Sequence, residues 1–140
     1  MHLAQLNIAE AIETMEHPMM SSFMENVDRI NELAEKSPGF VWRLSNEEES
    51  NTPVFNSTII AVNLSIWKDR ESLFQFVYAS NHVEILKRKS EWFKKTPKLH
   101  MVLWYIEEGH IPSIKEASER LLYLQEHGES PFAFSFKSSF

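Results

Sequence analysis

Cysteine does not occur in the sequence of 140 residues. Its absence excludes disulfides, thiolate zinc sites, iron–sulfur clusters and cysteine nucleophiles together. Because disulfides are rare in the reducing cytosol, a cysteine-free chain also fits a cytoplasmic protein, which we expect here. Glycine occurs only at Gly39, Gly109 and Gly128. The chain therefore has no glycine-rich phosphate loop, no dinucleotide fingerprint and no Gly-x-Ser-x-Gly elbow.

Long apolar runs are also missing. Stretches such as Ile59–Val62 and Val102–Ile106 are far too short to span a bilayer. The first fifteen residues lack the basic start and apolar centre of a signal peptide. We therefore predict no membrane partner.

Positive charge is scarce in the first part of the chain. The net charge is −6, and residues 1–58 contain three Lys or Arg against ten Asp or Glu. Six basic residues do cluster within 87–98, but a solvated helix face explains them better than an anion-binding patch. We therefore predict no nucleic-acid partner.

Apolar and aromatic residues are plentiful, at 43% and 12% of the chain. This composition is typical of a protein with a packed core. A chain of this length buries ~68–70% of its unfolded surface, so it needs no disulfide or metal to fold. We interpret residues 1–140 as a single domain.

The pattern of apolar residues predicts an alternation of strands and helices. Strands are expected at 3–8, 40–44, 58–67 and 100–106. Helices are expected at 18–36, at 70–95 with a break near residue 80, and after the capping box Ser113–Glu116. The segment Phe132–Phe136 alternates as a terminal strand or docked arm. The order β-α-β-β-α-β is that of a ferredoxin-like split βαβ sandwich, an α+β fold with an antiparallel sheet and helices on one face.

Two helices cover only one face of such a sheet, so the other face is expected to meet a ligand or a partner. In the third strand, alternation separates Ile60, Val62, Leu64 and Ile66 from Asn63 and Trp67. We expect the apolar set to pack against the helices. We therefore predict a pocket on the opposite face, lined by Asn63, Trp67, His100 and Trp104, with Arg43 and His82 at its rim.

Several strings give the chain a family resemblance: SPGFVWRL at 37–44, NLSIW at 63–67, FVYASNH at 76–82, LWYIEEGHIP at 103–112 and LLYLQEHGES at 121–130. With them the chain resembles domain-of-unknown-function family 3291, nearly end to end. That family looks like a branch of the dimeric α+β barrel superfamily, which includes antibiotic-biosynthesis-type monooxygenases and haem-degrading enzymes. The resemblance implies a homodimer whose sheets close into a barrel, and it suggests a monooxygenase-like activity.

Three polar residues are candidates for catalysis. His82 follows a helix restart and would act as a base or a haem ligand, or else bond to the backbone at a helix end. Arg43 would bind a substrate carboxylate or form a salt bridge at a subunit interface. Asn63 would polarise the substrate.

The aromatic candidates have a simpler alternative. Tryptophan usually packs in the core, and a pocket-lining role for Trp67 and Trp104 competes with that interpretation. His100 would point into the cavity or begin its strand at the surface. None of the six histidines are spaced i, i+3 or i, i+4, so we predict no metal site.

Two functions remain open from the sequence. One is an enzyme of monooxygenase type, acting on a hydrophobic or aromatic small molecule in the barrel cavity. It would work without a cofactor, with haem as the alternative. The other is a dimeric protein that binds a small ligand without catalysis. The sequence does not decide whether the chain is an enzyme.

Overall fold

The computed structural model describes residues 1–10, 29, 31–44, 60–79 and 101–136. Within them, residues 31–35 are helical and end the first predicted helix. The remaining elements, in chain order, are β1 (His2–Glu10), β2 (Phe40–Arg43), β3 (Ile60–Trp67), α1 (Arg70–Ala79), β4 (Met101–Ile106) and α2 (Ile114–His127). None of the helices described is long and apolar enough to cross a membrane.

The four strands form one antiparallel sheet in the order β2-β3-β1-β4. The central strand β1 pairs with both β3 and β4, so that Leu3 lies between Trp67 and Tyr105. This order places the first strand between the third and the fourth, as the split βαβ arrangement requires. The predicted α+β ferredoxin-like fold is confirmed.

The sheet has two faces, which we name after the helices that pack on them. The α2 face carries Ala4, Leu6, Val62, Leu64, Ile66, Val102, Trp104 and Ile106, which cluster with Ala117, Leu121 and Leu124 of α2. The α1 face carries Leu3, Trp67 and Leu103, which cluster with Leu73 of α1 and with Ala34. By alternation along β1 and β3, the α1 face also carries Gln5, Asn7, Asn63 and Ser65.

The predicted orientation of β3 is therefore wrong. Val62, Leu64 and Ile66 face α2, whereas Trp67 faces α1, the helix that follows β3 in the chain. Period-2 alternation separates two sets of side chains, but it does not say which set faces which layer. The set that faces α1 contains Asn63 and Ser65 and only one large apolar residue, Trp67, so hydrophobicity did not indicate which set meets this helix.

The premise of an uncovered sheet face is wrong as well. Helix α2 covers the side opposite α1, and Leu6 and Trp104 on that side have no exposed surface. The helix begins at the predicted capping box, where Ser113 Oγ accepts from Glu116 N at 3.0 Å. It ends at Gly128, whose N–H donates to Leu124 O at 2.9 Å. Its apolar stripe docks within the same chain.

The predicted docked arm is present at the free edge of β4. Phe134 N donates to Leu103 O at 3.0 Å, and Leu103 N donates to Phe134 O at 2.7 Å. Successive side chains of the arm contribute to both faces, since Ala133 belongs to the α2-face cluster and Phe134 to the α1-face cluster. Glu129 holds the arm by accepting a hydrogen bond from Ser135 N at 2.8 Å. The arm thus covers the backbone groups of an edge strand.

The turn before β2 requires glycine at position 39. Gly39 has φ +83°, and a Cβ there would lie 2.1 Å from Ser72 Oγ. The carbonyl oxygen of Gly39 accepts from Lys68 N at 2.6 Å, which fixes the turn against the end of β3. The close approach of the backbone to α1 therefore leaves no room for a side chain.

We expect Gly39→Ala to lower the free energy of unfolding more than Gly109→Ala. Gly109 has φ +90° but open space around its Cα, so alanine there should cost only the ~1–2 kcal/mol of a left-handed backbone. At position 39 the contact with Ser72 should add about 1–3 kcal/mol. Urea denaturation of both variants measures the difference. Equal losses would show that α1 yields to the added methyl group.

Candidate functional site

A chain of buried hydrogen bonds crosses the α1 face between β3 and β1. The indole Nε1–H of Trp67 donates to Ser65 Oγ at 3.0 Å, and the Ser65 hydroxyl donates to Gln5 Oε1 at 2.9 Å. Trp67, Ser65 and Gln5 are only 1%, 5% and 6% exposed. Gln5 and Ser65 are directly paired across the sheet. Polar groups thus occupy the centre of an otherwise apolar face.

Aromatic rings hold the tryptophan at one end of this chain. Trp67 is stacked on Phe76 of α1, with the ring centroids 5.1 Å apart and the planes at 25°. Phe40 of β2 meets the same indole edge-on at 5.5 Å. Because ring contacts and the hydrogen bond to Ser65 act together, the Trp67 side chain has a defined orientation.

At the other end, two asparagines extend the polar groups toward solvent. Asn7 and Asn63 are directly paired on β1 and β3. They lie two residues along the strands from Gln5 and Ser65, and therefore on the same face. Asn63 is exposed and Asn7 is half-buried. We call Gln5, Ser65, Asn7 and Asn63 the polar strip. It leads from the surface to a buried interior wall of aromatic rings.

The structure brings together two of the predicted site residues, Asn63 and Trp67, on the α1 face. Trp104 lies on the opposite face, because it pairs with Ala4 whereas Trp67 pairs with the adjacent Leu3. The prediction that both tryptophans line one pocket is therefore wrong. Trp104 is a core residue with no exposed surface, and its Nε1–H donates to Glu116 Oε2 at 3.1 Å.

Arg43 lies beside the polar strip, directly paired with Ser65. Its Nε donates to Glu35 Oε1 at 3.0 Å, and Nη1 donates to Leu44 O at 3.1 Å. Arg43 thus forms a salt bridge within the chain, and its salt bridge at a subunit interface stays a prediction. His82 and His100 lie outside the described residues, and the catalytic roles of His82, Asn63 and Arg43 stay predictions.

Sequence reasoning missed Gln5 and Ser65 as site residues. A signal existed for Gln5, a polar residue within the apolar run Leu3–Leu6 of β1. A buried strand that interrupts its apolar residues with a glutamine needs a hydrogen-bond partner for it. The identity of that partner depends on the register of two strands and was not visible in the sequence.

A separate groove of about 370 Å³ lies at the end of the sheet. It is lined by Met1, His2, Gly39, Phe40, Val41, Lys68, Asp69 and Glu108. Hydrogen bonds from Ser72 N and Oγ, at 2.8 and 2.7 Å, hold the pKa of Asp69 below its usual range. Both acidic and basic groups line this open groove, so its charge selects no single class of ligand.

Among the residues that the structure describes, no three His, Asp or Glu side chains lie close enough to hold a metal ion. The described histidines are His2, His110 and His127. His110 Nε2 is 2.8 Å from Glu116 Oε1, and His127 packs against Tyr123 with ring centroids 4.5 Å apart. His2 lies in the groove. None is placed next to the polar strip, and the haem alternative gains no support.

Comparison with protein families gives one decisive match. The model of a family described as "Domain of unknown function (DUF3291)" matches residues 2–140. The chain belongs to this family. The match confirms the resemblance seen in the sequence, while no curated protein matches the chain significantly.

Solved structures with the same fold come from several organisms. A conserved protein from Methanosarcina mazei Go1 shares 20% identity over 76% of this chain and 93% of its own, with a TM-score of 0.55. SnoaB, a cofactor-independent oxygenase from Streptomyces nogalater, shares 12% identity over 80% of this chain and 98% of its own, with a TM-score of 0.52. NE2512, a protein of unknown function from Nitrosomonas europaea, shares 10% identity over 80% and 95%, with a TM-score of 0.53. At these identities the DUF3291 chain shares a fold with them, and fold alone does not give function.

We expect Ser65→Ala to destabilise the chain by about 2–6 kcal/mol. The substitution leaves Trp67 Nε1–H without its acceptor and Gln5 Oε1 without its donor, and each buried orphan costs about 1–3 kcal/mol. The matched control is Ser118→Ala, which removes an exposed hydroxyl that donates to Lys115 O and should change stability little. Urea denaturation measures both. A loss for Ser65→Ala no larger than the control would mean that the buried chain contributes nothing to stability.

We expect Trp104→Ala to destabilise the chain by about 3–5 kcal/mol, because it empties a buried site on the α2 face. Leu122→Ala is the control, since Leu122 is 54% exposed on the outer side of α2 and should lose little. Thermal unfolding followed by circular dichroism compares the two. A Trp104→Ala variant of native stability would instead mark Trp104 as a residue that lines a pocket.

Proposed function

We propose that this chain binds a small hydrophobic molecule against the α1 face and oxidises it with molecular oxygen, without a cofactor. The observation that carries the proposal is the polar strip, which sets hydrogen-bonding groups into a face walled by Trp67, Phe40 and Phe76. Sites for small molecules combine an apolar wall with a few placed polar groups in this manner. The shared fold with a cofactor-independent oxygenase supports the choice of reaction.

The polar strip suits a reaction in which the substrate itself supplies the electrons. In the simplest such oxidation a methylene carbon loses two hydrogens and gains one oxygen atom of O₂, while the other oxygen atom leaves as water. Removal of the first proton places negative charge on the substrate, and the oxygen of a carbonyl conjugated with that carbon takes up the charge. The amide N–H groups of Asn63 and Asn7 would stabilise such an oxygen by donating to it.

Arg43 adds a positive charge beside the strip. Its pairing with Glu35 at 3.0 Å holds the guanidinium in place, and its register partner is Ser65. A fixed cation beside the strip favours a substrate that becomes an anion. His82 keeps its predicted role as the group that accepts the proton.

The second candidate function is ligand binding without catalysis, and the exposure of Asn63 favours it. Asn63 contacts solvent, whereas a strongly polarising group is more effective where water is excluded. A carrier needs only the aromatic wall and the hydrogen bonds. Consumption of oxygen separates the two functions.

We expect the purified chain to accelerate oxygen uptake in the presence of anthrone, whose methylene lies between two aromatic rings and opposite a carbonyl. Asn63→Leu should lower kcat about a hundredfold by removing a hydrogen-bond donor to the charged oxygen. Leu122→Ala, on the far side of α2, is the control with unchanged kcat. An oxygen electrode records the rates. Binding of anthrone without any acceleration of oxygen uptake would select the non-catalytic function.

We also propose that the chain is a homodimer in the cytoplasm. The absence of cysteine supports the location. The family resemblance supports the dimer, whereas the argument from an uncovered sheet face no longer does, because α2 covers that face.

Light scattering at micromolar concentration should give twice the monomer mass of 16.4 kDa. An obligate dimer would bury more than ~2,000 Å² and would not dissociate at that concentration. A measured mass of one chain, unchanged over a hundredfold range of concentration, would rule out the dimer.

A further inference from the structure

The hydrogen-bond chain on the α1 face has a direction. An indole nitrogen only donates, so Ser65 Oγ must accept from Trp67 Nε1–H. The Ser65 hydroxyl has one hydrogen, and that hydrogen is donated to Gln5 Oε1 at 2.9 Å. Because its Oε1 accepts from Ser65, the amide of Gln5 directs its Nε2H₂ group away from that contact.

The Nε2H₂ group of Gln5 is a buried hydrogen-bond donor that has no acceptor among the described residues. Gln5 is 6% exposed, and within residues 1–10, 31–44, 60–79 and 101–136 no group accepts a hydrogen bond from its Nε2. Buried amide donors are almost always paired, because an unpaired one is costly. Gln5 and its register partner Ser65 lie two residues from Asn7 and Asn63 along their strands, so this donor is at the inner end of the polar strip.

The opposite orientation of the amide is less satisfactory. With Nε2 toward Ser65, the serine oxygen would accept two hydrogen bonds and its own hydrogen would lose its acceptor, Gln5 Oε1. The observed orientation satisfies Trp67, Ser65 and Gln5 Oε1 together. The two bonds also polarise one another, which makes the terminal N–H groups of Gln5 stronger donors.

We infer that Gln5 Nε2 donates a hydrogen bond to an oxygen of the bound molecule, and that Gln5 selects ligands with an acceptor oxygen. The ligand class is cyclic hydrophobic compounds that carry a carbonyl or an ionised oxygen. Ser65 and Trp67 are positioning residues, since they act through Gln5. The inference rests on the proposed function for the location of the ligand, and it adds the chemistry that the ligand must present. A site with an unpaired buried donor discriminates strongly against an analogue that lacks the acceptor.

The test compares two probes with one carbon frame, 1-tetralone, which carries a carbonyl, and tetralin, which carries no polar atom. Their dissociation constants are measured by titration of the ¹⁵N-labelled chain in two-dimensional NMR. The wild-type chain should bind 1-tetralone about tenfold more tightly than tetralin. Gln5→Met should remove this preference and leave the affinity for tetralin unchanged. Gln75→Met removes an exposed amide of α1 and should keep the preference.

A second measurement needs no variant. The side-chain amide resonances of Gln5 in the wild-type chain should shift with 1-tetralone and not with tetralin. Equal affinities for both probes, or a preference that survives in Gln5→Met, would overturn the role of Gln5 while the hydrophobic site stands. Failure of both probes to bind the wild-type chain would instead contradict the proposed function, and the inference with it.

Discussion

The architecture depends on the double burial of the central strand. Leu3, Ala4, Gln5 and Leu6 are all at most 6% exposed, because β1 has a strand on each side and a layer of packed side chains on each face. Main-chain hydrogen bonds to β3 and β4 satisfy the backbone of β1. A polar side chain in this position has no access to water, so Gln5 requires partners from the protein or from a ligand. Within the polar strip, Ser65 meets this requirement for one atom of Gln5, its Oε1.

On both faces of the sheet, a tryptophan indole N–H donates a hydrogen bond to a polar side chain. On the α1 face Trp67 donates to Ser65, and on the α2 face Trp104 donates to Glu116. The surroundings differ, since Glu116 also contacts His110 at the surface, whereas Ser65 passes the bond inward to Gln5. One tryptophan therefore anchors α2 to the sheet, while the other orients a group in the candidate site.

Much of the fold could be predicted from local patterns, because those patterns encode backbone geometry. The capping box at Ser113, the glycine that ends α2 and the alternation of β3 all correspond to observed features. The face assignment failed because the apolar side of β3 packs against α2, whereas the mixed side with Asn63, Ser65 and Trp67 packs against α1. The covering of the second face by α2 was missed because an amphipathic stripe shows that a helix is buried, not what it is buried against.

The candidate site could be predicted only in part. Asn63 and Trp67 follow from alternation within one strand, and the structure keeps them on one face. The contact between Gln5 and Ser65 joins residues 60 positions apart, so it depends on a strand register that no local pattern specifies. Trp104 does lie on the side away from α1, as predicted, but α2 packs on that side and makes Trp104 a core residue.

The place of β1 in the chain has a consequence during synthesis. The strand is made first, yet its partners begin at residues 60 and 101. At the usual rate of ~5–20 residues per second, β1 waits several seconds for its first neighbour and longer for its second. Throughout that time the apolar residues of β1, among them Leu3, Leu6 and Ile8, are unprotected, which is the condition under which nascent chains aggregate or recruit chaperones. Among the four strands of the sheet, the central strand is thus the one that waits longest for its neighbours.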